Sequence, residues 1–137
     1  MKKFLFFLTV LVTALVIGYL SGPQVEYGPV SPDIERLNVS LEELDGYIAS
    51  NERMVEGIKP ENQSQIFWAS DSVQRTEYVI VYLHGFSAGP MESRPVHMNL
   101  AKKFGANLYL ARLSQHGLEG TESFLDLTPN GLMESAK

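Results

Sequence analysis

The stretch EYVIVYLHGFSAG, Glu77 to Gly89, decides the fold. Its first half, Tyr78 to Leu83, is continuously apolar, β-branched and aromatic. A half-exposed hairpin strand would alternate with polar residues, so the run predicts a strand covered on both faces within a parallel sheet. Its second half is a glycine-lined turn with His84 at the mouth. Ligand sites in open α/β sheets lie outside the carboxyl ends of strands, which puts His84 and Gly85 where the chemistry of such a protein is expected.

Working outward, Ser93 to Phe104 has helical spacing, with Val96, Leu100, Ala101 and Phe104 predicted on the core face, Lys102 and Lys103 outward, and Gly105 as the stop. His97 is expected on the helix surface, with Met91 and Met98 as packing residues. Asn107 to Ala111 reads as a second strand and Arg112 to Gly117 as the loop after it. Strand, crossover helix and parallel strand form a unit that is right-handed in nearly all known proteins. Upstream, Gln65 to Ser70 reads as a short strand, joined to the central one by a polar turn over Asp71 to Arg75. Ser40-Leu41-Glu42-Glu43 fits a capping box, opening a helix that carries Leu41, Leu44 and Ile48 on one side. The acidic Glu42, Glu43 and Asp45 suit the positive end of that helix better than an acid–base pair.

Gly85-Phe86-Ser87-Ala88-Gly89 also satisfies G-x-S-x-G, the pattern of a nucleophile elbow, and makes Ser87 a formal nucleophile. Two features oppose that assignment. An elbow turns directly into a helix, whereas Gly89-Pro90 follows here and helical spacing resumes only near Ser93. The chain order is also wrong, because an elbow serine is followed by an acid and then a histidine. Here the last histidine is His116 and Asp126 comes after it.

Leu83-His84-Gly85-Phe86-Ser87-Ala88 instead resembles the His-Gly oxyanion loop of α/β-hydrolase-fold serine esterases and lipases, of the carboxylesterase and monoacylglycerol-lipase-like branches. The likeness extends over Gln65 to Lys137, through the helix, the next strand and the loop Arg112 to Gly117. There the branches usually carry Gly-His-Gly, and this chain departs with Gln115 at the first position. The resemblance implies an α/β fold, the amino-terminal part of a mostly parallel hydrolase sheet with helices packed on it. It also implies that the Phe86 amide is one oxyanion donor, the other being the amide that follows the nucleophile. Such donors stabilise charge that develops only in the transition state. Gly85 is expected to allow close approach and a positive φ, and His84 either to hold the loop by hydrogen bonding or merely to cap the strand. Thr128 and Pro129 start a further helix. In the resembled family that helix leads on to the true elbow. The 137 residues are therefore expected to be an amino-terminal portion lacking nucleophile, acid and base.

Composition narrows the partners. The chain is 45% hydrophobic and 20% charged, enough for one domain, and its net charge of −5 gives no basic surface for nucleic acid. The absence of cysteine excludes a thiol nucleophile, disulfides and thiolate metal sites. His84, His97 and His116 lie on three separate elements without ligand spacing, so neither a metal nor another cofactor is expected.

Lys2 and Lys3 precede an apolar run from Phe4 to Leu20 with no polar face, at the lower limit of the ~17 to 25 residues that cross a bilayer. No small-x-small cleavage site of the usual kind follows, which favours an uncleaved anchor over a removed signal peptide. The paired lysines would stay inside and the remainder would lie on the non-cytoplasmic side. The chain thus divides into an anchor or signal over 1–20, an extended proline-containing tether over 21–39, and an incomplete α/β-hydrolase domain over 40–137. The expected function is a membrane-tethered serine hydrolase acting on carboxylic or lipid esters, held to the membrane through residues 4–20. The alternatives are a non-catalytic, membrane-anchored interaction module, a minimal esterase using Ser87, and, for location, secretion after signal cleavage.

Overall fold

The computed structural model describes residues 2–23, 36–120 and 122–136. Most of the tether expected over 21–39, including Pro29 and Pro32, lies outside the described residues. The elements in chain order are α1 (Lys2–Leu20), α2 (Leu44–Arg53), β1 (Gln65–Phe67), β2 (Val79–Leu83), α3 (Val96–Phe104), β3 (Asn107–Ala111), a short 3-10 turn (Ser123–Asp126) and α4 (Pro129–Ser135).

The protein is α/β, with a small mixed sheet in the order β1-β3-β2. β3 runs parallel to β2, with Ile80 opposite Leu108 and Tyr82 opposite Leu110, and antiparallel to β1, with Phe67 opposite Leu108. The sheet described is therefore not the mostly parallel one expected. The cause is the link over 68–78, which contains no helix and returns the chain in the opposite sense, whereas a parallel connection needs a long crossover such as α3. That link is latched by Asn107, whose Oδ1 accepts the Ala69 N–H at 2.9 Å and whose Nδ2 donates to the Gln74 carbonyl at 2.8 Å.

The strand covered on both faces is β3, in which Leu108 and Leu110 are fully buried. β2 corrects the expectation made for it. It is an edge strand with Val79, Val81 and Leu83 exposed and only Ile80 and Tyr82 turned to the core. A continuous apolar run reports capacity for burial on both faces; at β2 the described elements supply cover on one.

α3 packs on the face that carries Leu108 and Leu110, through Ala101 and His97. This reverses two expectations. His97 is buried, and the apolar series Val96, Leu100 and Phe104 faces outward. Small Ala101 lets the helix approach the sheet, and the His97 ring lies almost parallel to Tyr82, with centroids 5.1 Å apart and planes at 18°. The helix stops as expected at Gly105, which takes the left-handed conformation at φ 57°.

α2 begins at Leu44, later than the capping-box pattern suggests. Residues 41–43 form a turn in which the Glu43 carboxylate accepts from both the N–H and the hydroxyl of Ser40, at 3.1 and 2.8 Å. These bonds hold the Glu43 pKa below its usual value, the hydroxyl contributing most. α2 is tied to the rest by Trp68 Nε1, which donates to Asp45 at 2.9 Å, and by the Glu52 to Arg112 ion pair at 2.8 Å. Thr128 caps α4 as read from the sequence, its hydroxyl accepting the Gly131 N–H at 3.0 Å with Pro129 in the first turn.

Candidate functional site: a pinned turn at the carboxyl end of β2

β2 delivers the chain at Leu83 into a turn held from two sides. The first pin is His84, only 4% exposed. Its Nε2 lies 3.1 Å from the Leu113 backbone N–H and its Nδ1 2.9 Å from the Gly85 carbonyl. A backbone N–H only donates, so Nε2 is the acceptor and the ring proton sits on Nδ1, donated to Gly85. The imidazole is thus neutral. Burial is the main cause pushing its pKa down, aided by His116 and Arg112, while the Gly85 carbonyl and Glu92 pull upward.

The second pin is Glu92. One carboxylate oxygen accepts both the Gly85 N–H at 3.0 Å and the Tyr82 hydroxyl at 3.2 Å. The Gly85 bond is the chief cause that lowers the Glu92 pKa, with smaller contributions from Tyr82 and His84. Between the pins the Ala88 N–H closes a turn on the Gly85 carbonyl at 3.2 Å. Ser87, at φ 61°, takes the left-handed position. The positive φ expected at Gly85 is therefore at Ser87. Gly85 has a different reason to be small, since a Cβ there would stand 3.4 Å from the Glu92 carboxylate.

Phe86 stands at the tip of the turn, 74% exposed, and among the described residues no acceptor takes its backbone N–H. Its ring closes over an aromatic floor. Phe86, His116 and Phe124 meet pairwise at 4.9 to 5.7 Å between centroids, and His84 lies 4.9 Å from His116. His116 is almost wholly buried and donates through Nδ1 to the Ser114 carbonyl at 2.7 Å, a bond within its own turn. Beside Ser87 opens a cavity of about 190 Å³, lined among others by Lys59, Asn62, Gly117 and Phe124.

The turn does not pair its serine with a base. No hydrogen bond joins the Ser87 hydroxyl to an imidazole: His84 is committed at both nitrogens, His116 engages Ser114, and His97 engages the Ser93 hydroxyl at 2.9 Å. Among the described residues no carboxylate accepts from any of the three rings. No group of three or more His, Cys, Asp or Glu residues among the described ones is arranged to hold a metal ion.

Four participants went unassigned in the sequence reading. Glu92 is the second pin, Leu113 anchors the first through His84, Phe124 completes the floor, and Asn62 wedges between the loops at Gly89 and Gly117. None has a local signature: Leu113, Phe124 and Asn62 act across the fold, and Glu92 acts over seven residues of irregular loop. Comparison with protein-family models, with curated proteins and with solved structures found no match for this chain.

Chemically the arrangement offers, at the carboxyl end of a β-strand, a turn with backbone N–H groups that have no acceptor, Phe86 and Ser87 among them, backed by a neutral histidine and an ionised glutamate. Such N–H groups can donate to an anionic oxygen, and the serine of the turn, Ser87, has no imidazole bonded to its hydroxyl. At the amino terminus, α1 is long and apolar enough to serve as a membrane anchor or a signal sequence.

Proposed function

We propose that this chain supplies the oxyanion loop of a membrane-tethered serine hydrolase acting on carboxylic or lipid esters, with an α/β-hydrolase sheet of which β1, β2 and β3 form part. The nucleophile and its base come from a segment outside these 137 residues, since none of the three imidazoles bonds to Ser87. The observation that carries the reading is the Phe86 N–H, left without an acceptor while its own peptide group is held by His84 at the Gly85 carbonyl and the preceding one by Glu92 at the Gly85 N–H. An oxyanion donor must be fixed before charge develops, and this turn meets that requirement. α1 holds the assembly in the membrane with the α/β domain on the non-cytoplasmic side.

The decisive comparison is Phe86→Pro against Phe86→Ala, made in the protein that also carries the attacking serine. Both remove the aromatic ring, and only proline removes the N–H. Phe86→Pro should lower kcat for a p-nitrophenyl ester by about 100- to 1000-fold, the usual loss for one oxyanion donor, while Phe86→Ala stays close to wild type. Equal rates for the two variants would refute the role. Sequencing the reading frame past the Lys137 codon supplies the complementary check: a later strand leading to a second G-x-S-x-G, followed by an acid and a histidine, is the expected result.

A further inference from the structure

The cavity beside Ser87 has an unbalanced lining. Lys59 is the only charged residue that lines it, and none of the lining residues is acidic. Glu61 and Glu119 stand close by in the chain but do not line it, and among the described residues no carboxylate forms an ion pair with Lys59. The backbone fixes Lys59 at this place, since its N–H donates to the Gly117 carbonyl at 2.8 Å and its carbonyl accepts the Asn62 N–H at 3.1 Å. The Asn62 amide is already spent, its Nδ2 donating to the Pro60 carbonyl at 3.0 Å. The hydroxyls of Ser87 and Ser123 and the N–H groups of Ser87 and Gly89 have no partner among the described residues. A small cavity whose free polar groups are one cation and several donors suits an anion.

We propose that this cavity is a subsite for an anionic group of the substrate, a phosphate or carboxylate carried near the scissile ester, with Lys59 as its counterion and Ser87 as a further donor. Assigning the occupant to an ester rests on the function proposed above; the anion site itself does not. Volume sets the class of occupant. About 190 Å³ equals the share of roughly six water molecules in the liquid, below the ~300 Å³ at which pockets begin to take drug-sized ligands. The cavity therefore takes one small charged group and excludes a long acyl chain. Lys59 is exposed, and its flexible stem lets the compact ammonium reach a group in the mouth from the rim. Ser87 joins the two sites, because its N–H follows directly on that of Phe86. An anion held there fixes where the ester carbonyl falls against the Phe86 N–H.

The test titrates the full chain in mild detergent with inorganic phosphate and, separately, with propionate, chloride holding the ionic strength constant, while amide resonances are followed by NMR. Saturable shifts should appear at Ser87, Gly89 and Gly117. Lys59→Gln should raise the dissociation constant about tenfold or more, Lys59→Arg should keep most of the affinity, and Lys102→Gln on α3 should leave it unchanged. Absence of saturation, shifts that chloride reproduces, or equal affinity in Lys59→Gln overturns the site. The tighter of the two probes tells a phosphate from a carboxylate. In the protein that carries the attacking serine, the p-nitrophenyl monoester of glutaric acid and its phosphonate counterpart are compared with p-nitrophenyl butyrate. Lys59→Gln should lower the kcat/KM preference for the anionic esters about tenfold. Hydrolysis with an unchanged preference overturns the substrate role. Anion binding by a protein that hydrolyses none of these esters sinks the hydrolase reading instead and leaves the anion site standing.

Discussion

The Leu113 backbone N–H donates to Nε2 of His84 at 3.1 Å, joining the loop after β3 to the loop after β2 through one buried imidazole. The bond requires the ring to be neutral, since a proton on Nε2 would face a donor. His84→Ala should leave the Leu113 N–H and the Gly85 carbonyl without this partner and cost about 1 to 3 kcal/mol, measured by urea unfolding of the full chain in mild detergent. The pH dependence has a defined sign. With the folded pKa pushed below 6.5, the unfolded state binds the proton first as pH falls. The His84 contribution is therefore complete above the unfolded value and is lost as pH drops from there toward the folded value. The wild type should lose melting temperature over that interval more steeply than His84→Gln.

Asn62 wedges between two glycines, and they should respond differently to the same rescue. A Cβ on Gly89 would collide with the Asn62 amide oxygen and lie 3.1 Å from its Cγ, whereas a Cβ on Gly117 would lie 2.8 Å from the Asn62 Cβ and sit at φ +67°. Truncation to Asn62→Ala removes the first obstacle and keeps the second. Gly89→Ala should thus be rescued by Asn62→Ala, and Gly117→Ala should not, retaining a cost of about 1 to 2 kcal/mol from the left-handed backbone alone. Thermal unfolding of the two double-mutant cycles decides it, and equal rescue at both glycines would contradict the geometry.

Much of the local architecture was legible because its causes are local. Gly105 stops α3, Thr128 caps α4, and the apolar runs at 78–83 and 107–111 become neighbouring strands. Errors arose where the answer depends on what lies opposite. The periodicity of α3 supports two overlapping arcs, and the choice was made by Ala101 fitting the sheet and His97 stacking on Tyr82, neither visible in spacing. At the candidate site, the His-Gly turn was readable as a turn. Its fastening was not: Leu113 reaches His84 only once β2 and β3 are paired, and Glu92 reaches back seven residues to Gly85 within one loop, a spacing with no sequence signature. Ser87 differs, because Gly89-Pro90 and the chain order already oppose an elbow in the sequence, and the folded chain brings it no imidazole.

Glu52 and Arg112 form an ion pair at 2.8 Å with side chains only 12% and 8% exposed, linking α2 to the loop after β3. Removing one member of so buried a pair leaves the other charge uncompensated. Glu52→Ala should therefore destabilise by about 3 to 5 kcal/mol. Adding Arg112→Ala should cost much less than a second independent loss. A double-mutant cycle by chemical denaturation giving additive costs would show that solvent, rather than the partner, satisfies each charge.

Glu92 differs from that pair in being exposed, so its influence is on the turn rather than on global stability. Its carboxylate accepts the Gly85 N–H at 3.0 Å, and that bond lowers its pKa below 4.5. A depressed carboxyl contributes above its unfolded pKa and loses that contribution as pH falls through the folded value. Acidification through that window should free the Gly85 amide before the sheet melts. Hydrogen exchange at Gly85, corrected for its intrinsic pH dependence, should speed up there while exchange at Leu108 and Leu110 stays slow. Glu92→Ala should show the faster Gly85 exchange at neutral pH, and Glu92→Gln, which keeps an acceptor without the charge, should fall between. Unchanged Gly85 protection in Glu92→Ala would mean that His84 alone fastens the turn, leaving the aim of the Phe86 N–H set from one side only.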